Sequence, residues 1–168
     1  MASIPTAVDD ITVRLVAAII LVLTTVALLT SAWWLYAVLA ADFTIRAALG
    51  PRHSPIARLA GAIRPRLTTP ARPTPFAPKR FAATMGAVMT AIAAVLLLLE
   101  GSLGAVVGVP ALVIGVAMIA FPLLEAALGF CVGCRIFAGL MRLGVIPDDV
   151  CLECADISGR TRAALAAR

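Results

Sequence analysis

All four cysteines of the 168-residue chain fall in two pairs of the same spacing, Cys131-Val132-Gly133-Cys134 and Cys151-Leu152-Glu153-Cys154, with 16 residues between Cys134 and Cys151. Two thiols three apart can meet as a disulfide at a helix start or chelate one metal, and a doubled pair at this separation falls in the range of zinc sites. Spacing alone does not choose among three readings: redox or sulfur-carrying chemistry, a structural zinc held by Cys131, Cys134, Cys151 and Cys154, and buried thiols without a chemical role. If Cys131 and Cys134 open a helix beside Arg135, the positive helix end and the cation both favour thiolate, the reactive form. Cys131 and Cys134 are therefore the candidate reactive pair. No complete catalytic constellation surrounds them, so the chemistry within reach is thiol–disulfide or persulfide exchange. The single histidine, His53, excludes a bis-histidine haem, and zinc is the one cofactor the residues suggest.

The elements that must position these thiols are legible from periodicity. Ile136, Phe137, Leu140 and Leu143 recur at helical spacing and predict a helix over 135–143 lying on the membrane, ended by Gly144 and Pro147. Asp148 is a plausible N-cap for a second short helix carrying Cys151 and Cys154. Folding the two back about residues 145 and 146 sets Cys154 near Phe137, so that the pairs can converge.

Composition then says where this hairpin sits. Hydrophobic residues make up 62% of the chain, against about 45–50% for a soluble domain. Residues 15–41, 81–99 and 101–124 carry no charged side chain, and about 20 apolar residues cover a hydrocarbon core of about 30 Å. The expected fold is all-α, a polytopic membrane helical bundle of four spans near 12–29, 32–49, 81–99 and 105–127. A three-span alternative joins the first two into one long helix, because only Thr30-Ser31 separates them, with neither Gly nor Pro. The cluster of Trp33, Trp34 and Tyr36, which favours the membrane interface, argues for the hairpin. The apolar run continues past Ser31, and Asp9 and Asp10 precede it, which fits a retained anchor better than a cleaved signal peptide.

Of the 14 basic residues, Arg14 is N-terminal, eight lie between Arg46 and Arg80, and five follow from Arg135 onward. With four spans all of them fall on one side, and the positive-inside rule places both termini and the central loop in the cytoplasm. The cysteines stay cytoplasmic in the three-span alternative too. Their one-sidedness argues against a relay of electrons across the bilayer, and a reducing compartment argues against a permanent structural disulfide. The expected organisation is an N-terminal tail (1–11), a first helical hairpin (12–49), a Pro/Arg-rich cytoplasmic loop (50–80), a second helical hairpin (81–127) and a cytoplasmic Cys-rich module (128–168). Thirteen Arg against one Lys suggest a high-GC bacterial genome, hence the bacterial cytoplasmic (inner) membrane.

The remaining polar residues read mostly as anchors. Asp42 and Arg46, four apart, can neutralise one another, and Glu125 can accept a proton from a thiol or hold Arg80. Seven prolines between Gly50 and Lys79 exclude a long helix there, although residues 56–63 can form a short one along the headgroups. The basic residues of this loop suit anionic lipid headgroups. Nucleic-acid binding is rejected, since Phe76 is the only aromatic between Gly50 and Arg80. Gly104, Gly108 and Gly115 predict close helix packing, and Pro110 and Pro122 kinks in the last span.

The residues Ala77-Pro78-Lys79-Arg80-Phe81-Ala82 and the run Leu124-Glu125-Ala126-Ala127-Leu128-Gly129-Phe130-Cys131-Val132-Gly133-Cys134 carry a resemblance. Over about residues 9 to 154 the chain resembles the bacterial domain-of-unknown-function family four-three-nine-five. Its members are small membrane proteins, often encoded in actinobacteria beside rhodanese-type sulfurtransferases and thioredoxins. The resemblance implies thiol or sulfur traffic by association, with Cys131 and Cys134 as the regular pair and the second pair variable. The expected function is a membrane-anchored thiol or sulfur-trafficking accessory protein whose partners are the bilayer and a thioredoxin-like or rhodanese-type protein. A zinc-stabilised membrane scaffold for a cytoplasmic partner is the alternative, and a small sulfur-anion transporter the second. Substrate and oligomeric state are not written in the sequence.

Overall fold

The computed structural model describes residues 7–103 and 105–151. Six helices carry almost all of it: α1 (Asp10–Thr30), α2 (Trp33–Leu49), α3 (Pro55–Ile63), α4 (Phe76–Leu103), α5 (Ala105–Leu128) and α6 (Val132–Arg142). Two three-residue strands, β1 (Ala7–Asp9) and β2 (Pro73–Pro75), pair antiparallel with Val8 opposite Thr74.

The first hairpin is made without a glycine. Ser31 takes the left-handed conformation, φ 50, and the amides of Ser31 and Ala32 close back on the carbonyls of Leu28 and Ala27 at 3.4 and 3.0 Å. This is the C-cap geometry that glycine usually supplies. α1 and α2 run antiparallel: Val16 and Ile20 meet Leu39 and Phe43 in one cluster, whereas Ala27 meets Tyr36 in the other. α2 packs along α4, α1 along α5, and α4 against α5. Trp33 and Trp34 face outward as expected, but Tyr36 is fully buried against Ala27, Ala93 and Ala94.

The outer surface is apolar, with Val22, Leu29, Val88, Val109 and Val113 all more than half exposed. Such a surface belongs in lipid. Among the described residues three stretches, Asp10–Thr30, Phe76–Glu100 and Gly108–Leu128, are long and apolar enough to cross a bilayer. α2 has 17 residues, or about 25 Å at about 1.5 Å per residue. The molecule is an all-α membrane helical bundle.

Because successive helices reverse direction, the start of α1, the end of α2, the start of α4 and the end of α5 share one end. Asp9, Arg14, Asp42, Arg46, Lys79 and Glu125 collect there. The proline-rich segment is folded against this end rather than spread beside it. Ser54 caps α3, with Pro55 at its first turn, and Asp42 accepts from the Ser54 hydroxyl at 2.7 Å and the Ile56 amide at 3.2 Å. Ile56, Ala57 and Ala60 then pack into the cluster around Val16 and Phe43. Asp9 ties the chain start to the same segment, accepting from Arg64 Nε at 2.6 Å and the Arg72 amide at 3.0 Å. Burial pushes its carboxyl up, but these donors and Thr12 outweigh burial and hold it at about 2.

Gly115 packs closely against its neighbours: a Cβ there would lie 2.7 Å from Leu28 Cδ1 and 2.9 Å from Tyr36 Oη. At Gly108 it would meet only the Glu100 carboxylate. Gly104 lies outside the described residues. Pro110 and Pro122 both sit inside α5.

Candidate functional site

The thiol pair is reached by a sharp exit from α5. Gly129, at φ 68, turns the chain and closes its amide on Glu125 O at 2.9 Å. Arg14 donates to the carbonyls of Ala127 at 3.0 Å and Glu125 at 3.4 Å, so a cation on α1 caps the negative end of α5. Arg135 lies over the Phe130 ring, 5.1 Å from its centre.

Cys131 then caps α6, its Sγ accepting the backbone N–H of Cys134 at 3.4 Å. A thiolate suits this place, since free amide donors and the helix dipole both face it. Both Cys131, which is buried, and Cys134, which is half-buried, are free thiols. The hydrogen bond from Cys134 lowers the Cys131 thiol below the ordinary range, assisted by the Lys79 ammonium, against burial and Glu125. Cys134, donating that bond and buried beside a negative neighbour, is pushed up. Cys131 is thus the more acidic of the two sulfurs.

A cleft of about 250 Å³ opens onto both sulfurs and is lined also by Asp10, Thr74, Lys79 and Arg135. Lys79 forms an ion pair with Glu125, both largely buried. Sequence reading offered Arg80 as the partner of Glu125. Arg80 instead donates from Nε to Ala47 O at 2.7 Å, because one helix step turns it toward the end of α2. Lys79 was counted only as one of several loop cations, and it belongs to the site because α4 begins at Phe76, earlier than hydropathy alone suggests. The Asp42–Arg46 pair forms as expected.

α6 is amphipathic and packs on α4. Phe137 and Met141 are buried against Ala77 and Phe81, and the Phe81 and Phe137 rings sit 5.7 Å apart. Gly133 permits the approach: a Cβ there would lie 2.6 Å from Ala82 Cβ and 2.8 Å from Ala82 Cα. One of those atoms is backbone and cannot swing away. We expect Gly133→Ala to cost about 1–3 kcal/mol, as overpacking does, and to displace the first turn of α6. A lowered thermal midpoint in detergent together with an altered alkylation rate at Cys131 checks this; unchanged values would remove the close contact from the account.

The second pair falls at the edge. Residues Asp148–Cys151 form one turn of 3-10 helix, and Cys151 is buried with Phe137 and Met141. The chain after α6 thus brings Cys151 against Phe137. Cys154 lies outside the described residues. Among the described residues no group of three His, Cys, Asp or Glu side chains is placed to hold a metal.

An outward apolar surface, antiparallel helices and one charged end carrying two adjacent thiols define a small polytopic helical membrane protein. The chain belongs to the family described as Domain of unknown function (DUF4395), which matches residues 8–142. The match takes in Cys131 and Cys134 and stops short of Cys151. No curated protein and no solved structure matches the chain.

Proposed function

We propose that this chain is a membrane-anchored thiol protein in which Cys131 and Cys134 exchange a disulfide or a persulfide sulfur with a soluble thioredoxin-like or sulfurtransferase partner. The observation that carries it is the unequal pair: Cys131 Sγ at the start of α6 accepts the Cys134 amide, beside Lys79 in an open cleft. Cys131 thiolate attacks a partner disulfide and releases one partner thiolate. Cys134 then gives up its proton and displaces the second partner sulfur, leaving Cys131–Cys134 oxidised and the partner reduced. With a persulfide donor, Cys131 takes the outer sulfur and the donor leaves as a thiol. α2 serves as the fourth crossing, which puts the charged end, the cysteines and the C-terminus on the cytoplasmic side of the bacterial inner membrane, where such partners are.

The test is exchange between the purified, reduced chain and oxidised thioredoxin, together with metal analysis. We expect metal-free protein that loses both thiols, one after the other, to the partner. One zinc per chain, lost together with the fold in Cys151→Ser, would overturn the reading in favour of a scaffold.

A further inference from the structure

Inside the charged end of the bundle lies a second, larger cavity of about 350 Å³. Its walls are apolar and run inward past Ile20, Phe43, Met89 and Met118. Asp9, Arg46, Lys79 and Glu125 also line it, but each is matched: Arg46 by Asp42, Asp9 by Arg64 and Lys79 by Glu125. Two further cations of the lining, Arg52 and Arg58, have no acidic partner among the described residues. Both are exposed, so they stand where the chamber opens. An apolar interior is therefore joined to a mouth with positive charge in excess.

This combination selects an amphiphile with an acidic head. The head gives Arg52 and Arg58 the counter-charge that the chain does not supply, and guanidinium groups suit the paired oxygens of phosphate or carboxylate. The tail must be apolar to pass Ile20 and Met118. Pockets for small ligands span about 300–1,000 Å³, and a chamber at the low end of that range takes one acyl chain, not a whole two-chain lipid. The outer surface of the bundle is apolar and stands in lipid, so molecules of this kind are its solvent.

We propose that this cavity is a binding site for an anionic amphiphile, with one acyl chain in the chamber and the acidic head on Arg52 and Arg58. Two sources share that chemistry, an anionic phospholipid of the same bilayer and a free fatty acid. Cys131 and Gly133 line the chamber too, which sets the bound chain against the start of α6. The site does not depend on the thiol exchange proposed above.

The experiment is native mass spectrometry of the full chain in a nonionic detergent, titrated separately with palmitoyl-oleoyl phosphatidylglycerol, oleate and palmitoyl-oleoyl phosphatidylcholine. Expected is one anionic amphiphile per chain, bound at least tenfold more tightly than phosphatidylcholine. Binding of phosphatidylglycerol alone assigns the site to bilayer lipid, and of oleate alone to free fatty acid. A basic residue at an acidic headgroup is worth about fivefold, so Arg52→Gln with Arg58→Gln should weaken binding at least tenfold. Arg66→Gln with Arg72→Gln removes the same charge from exposed residues outside the chamber and should change binding less than threefold. Met89→Trp, placed to fill the chamber, should weaken it at least tenfold in protein that keeps its thermal midpoint. Equal retention of phosphatidylcholine, no binding of either anion, equal losses in the two arginine pairs, or undiminished binding to a folded Met89→Trp would each overturn the proposal. The arginine pairs, being exposed, decide it even where Met89→Trp does not fold.

Discussion

Asp42→Ala is expected to lower the stability of the bundle by about 3–5 kcal/mol, the usual cost of removing one partner from a buried ion pair. Asp42 is only 4% exposed, and one carboxylate answers three demands. Oδ2 takes the Arg46 guanidinium, while Oδ1 takes the Ser54 hydroxyl and the Ile56 amide. Alanine leaves Arg46 charged inside the protein without its counterion and leaves the capped start of α3 without its acceptor. Unfolding in mixed micelles measures the loss. The double change Asp42→Leu with Arg46→Leu should recover most of it, because no charge then stays buried, but not the share that belongs to Ser54 and Ile56. A loss below about 1 kcal/mol for Asp42→Ala, the size of an exposed pair, would mean that water reaches this end of α2.

That carboxylate also shows how far the sequence could be read. The pairing of Asp42 with Arg46 follows from their spacing on one helix, and the helices themselves follow from uncharged stretches long enough to span lipid. What Asp42 does for Ser54 does not follow, since the contact joins residues 12 apart across Gly50 and Pro51. The hairpin at Ser31 was marked only by the aromatic residues beyond it and by the one-sided basic residues, because the left-handed residue there is not a glycine. The cysteine spacing announced paired thiols at a helix start, and Cys131 does cap α6. Which sulfur is the more acidic depended on details beyond spacing: the hydrogen bond between the two thiols and a lysine 52 positions earlier in the chain. Gly133 was visible as part of the motif. Its reason, the Ala82 backbone on the facing helix, was not.

The last expectation separates the two sulfurs by their reactivity with pH. A thiolate alkylates and a thiol does not, so the rate at each cysteine rises as pH passes through that group's pKa. Cys131 is lowered by the bond from Cys134, and its midpoint should fall on the acid side of the ordinary thiol value of about 8.5. Cys134 is raised and should stay unreactive across the neutral range. Cys134→Ala removes the donor and moves the Cys131 profile toward higher pH. Lys79→Met moves it the same way by taking away the ammonium. An ordinary cysteine is only a few per cent thiolate at pH 7, so losing the donor should slow alkylation of Cys131 there by up to about tenfold, the greater intrinsic nucleophilicity of a more basic thiolate offsetting part of the loss. Cys131→Ser has no thiolate left to offer, and thioredoxin exchange should fall by at least about 100-fold. Cys134→Ser should still attack but not resolve, accumulating a mixed disulfide with the partner. Mass spectrometry of peptides alkylated at a series of pH values reads all of these changes. Equal profiles for Cys131 and Cys134 would mean that the helix start does not divide the pair, and the order of attack proposed above would be lost.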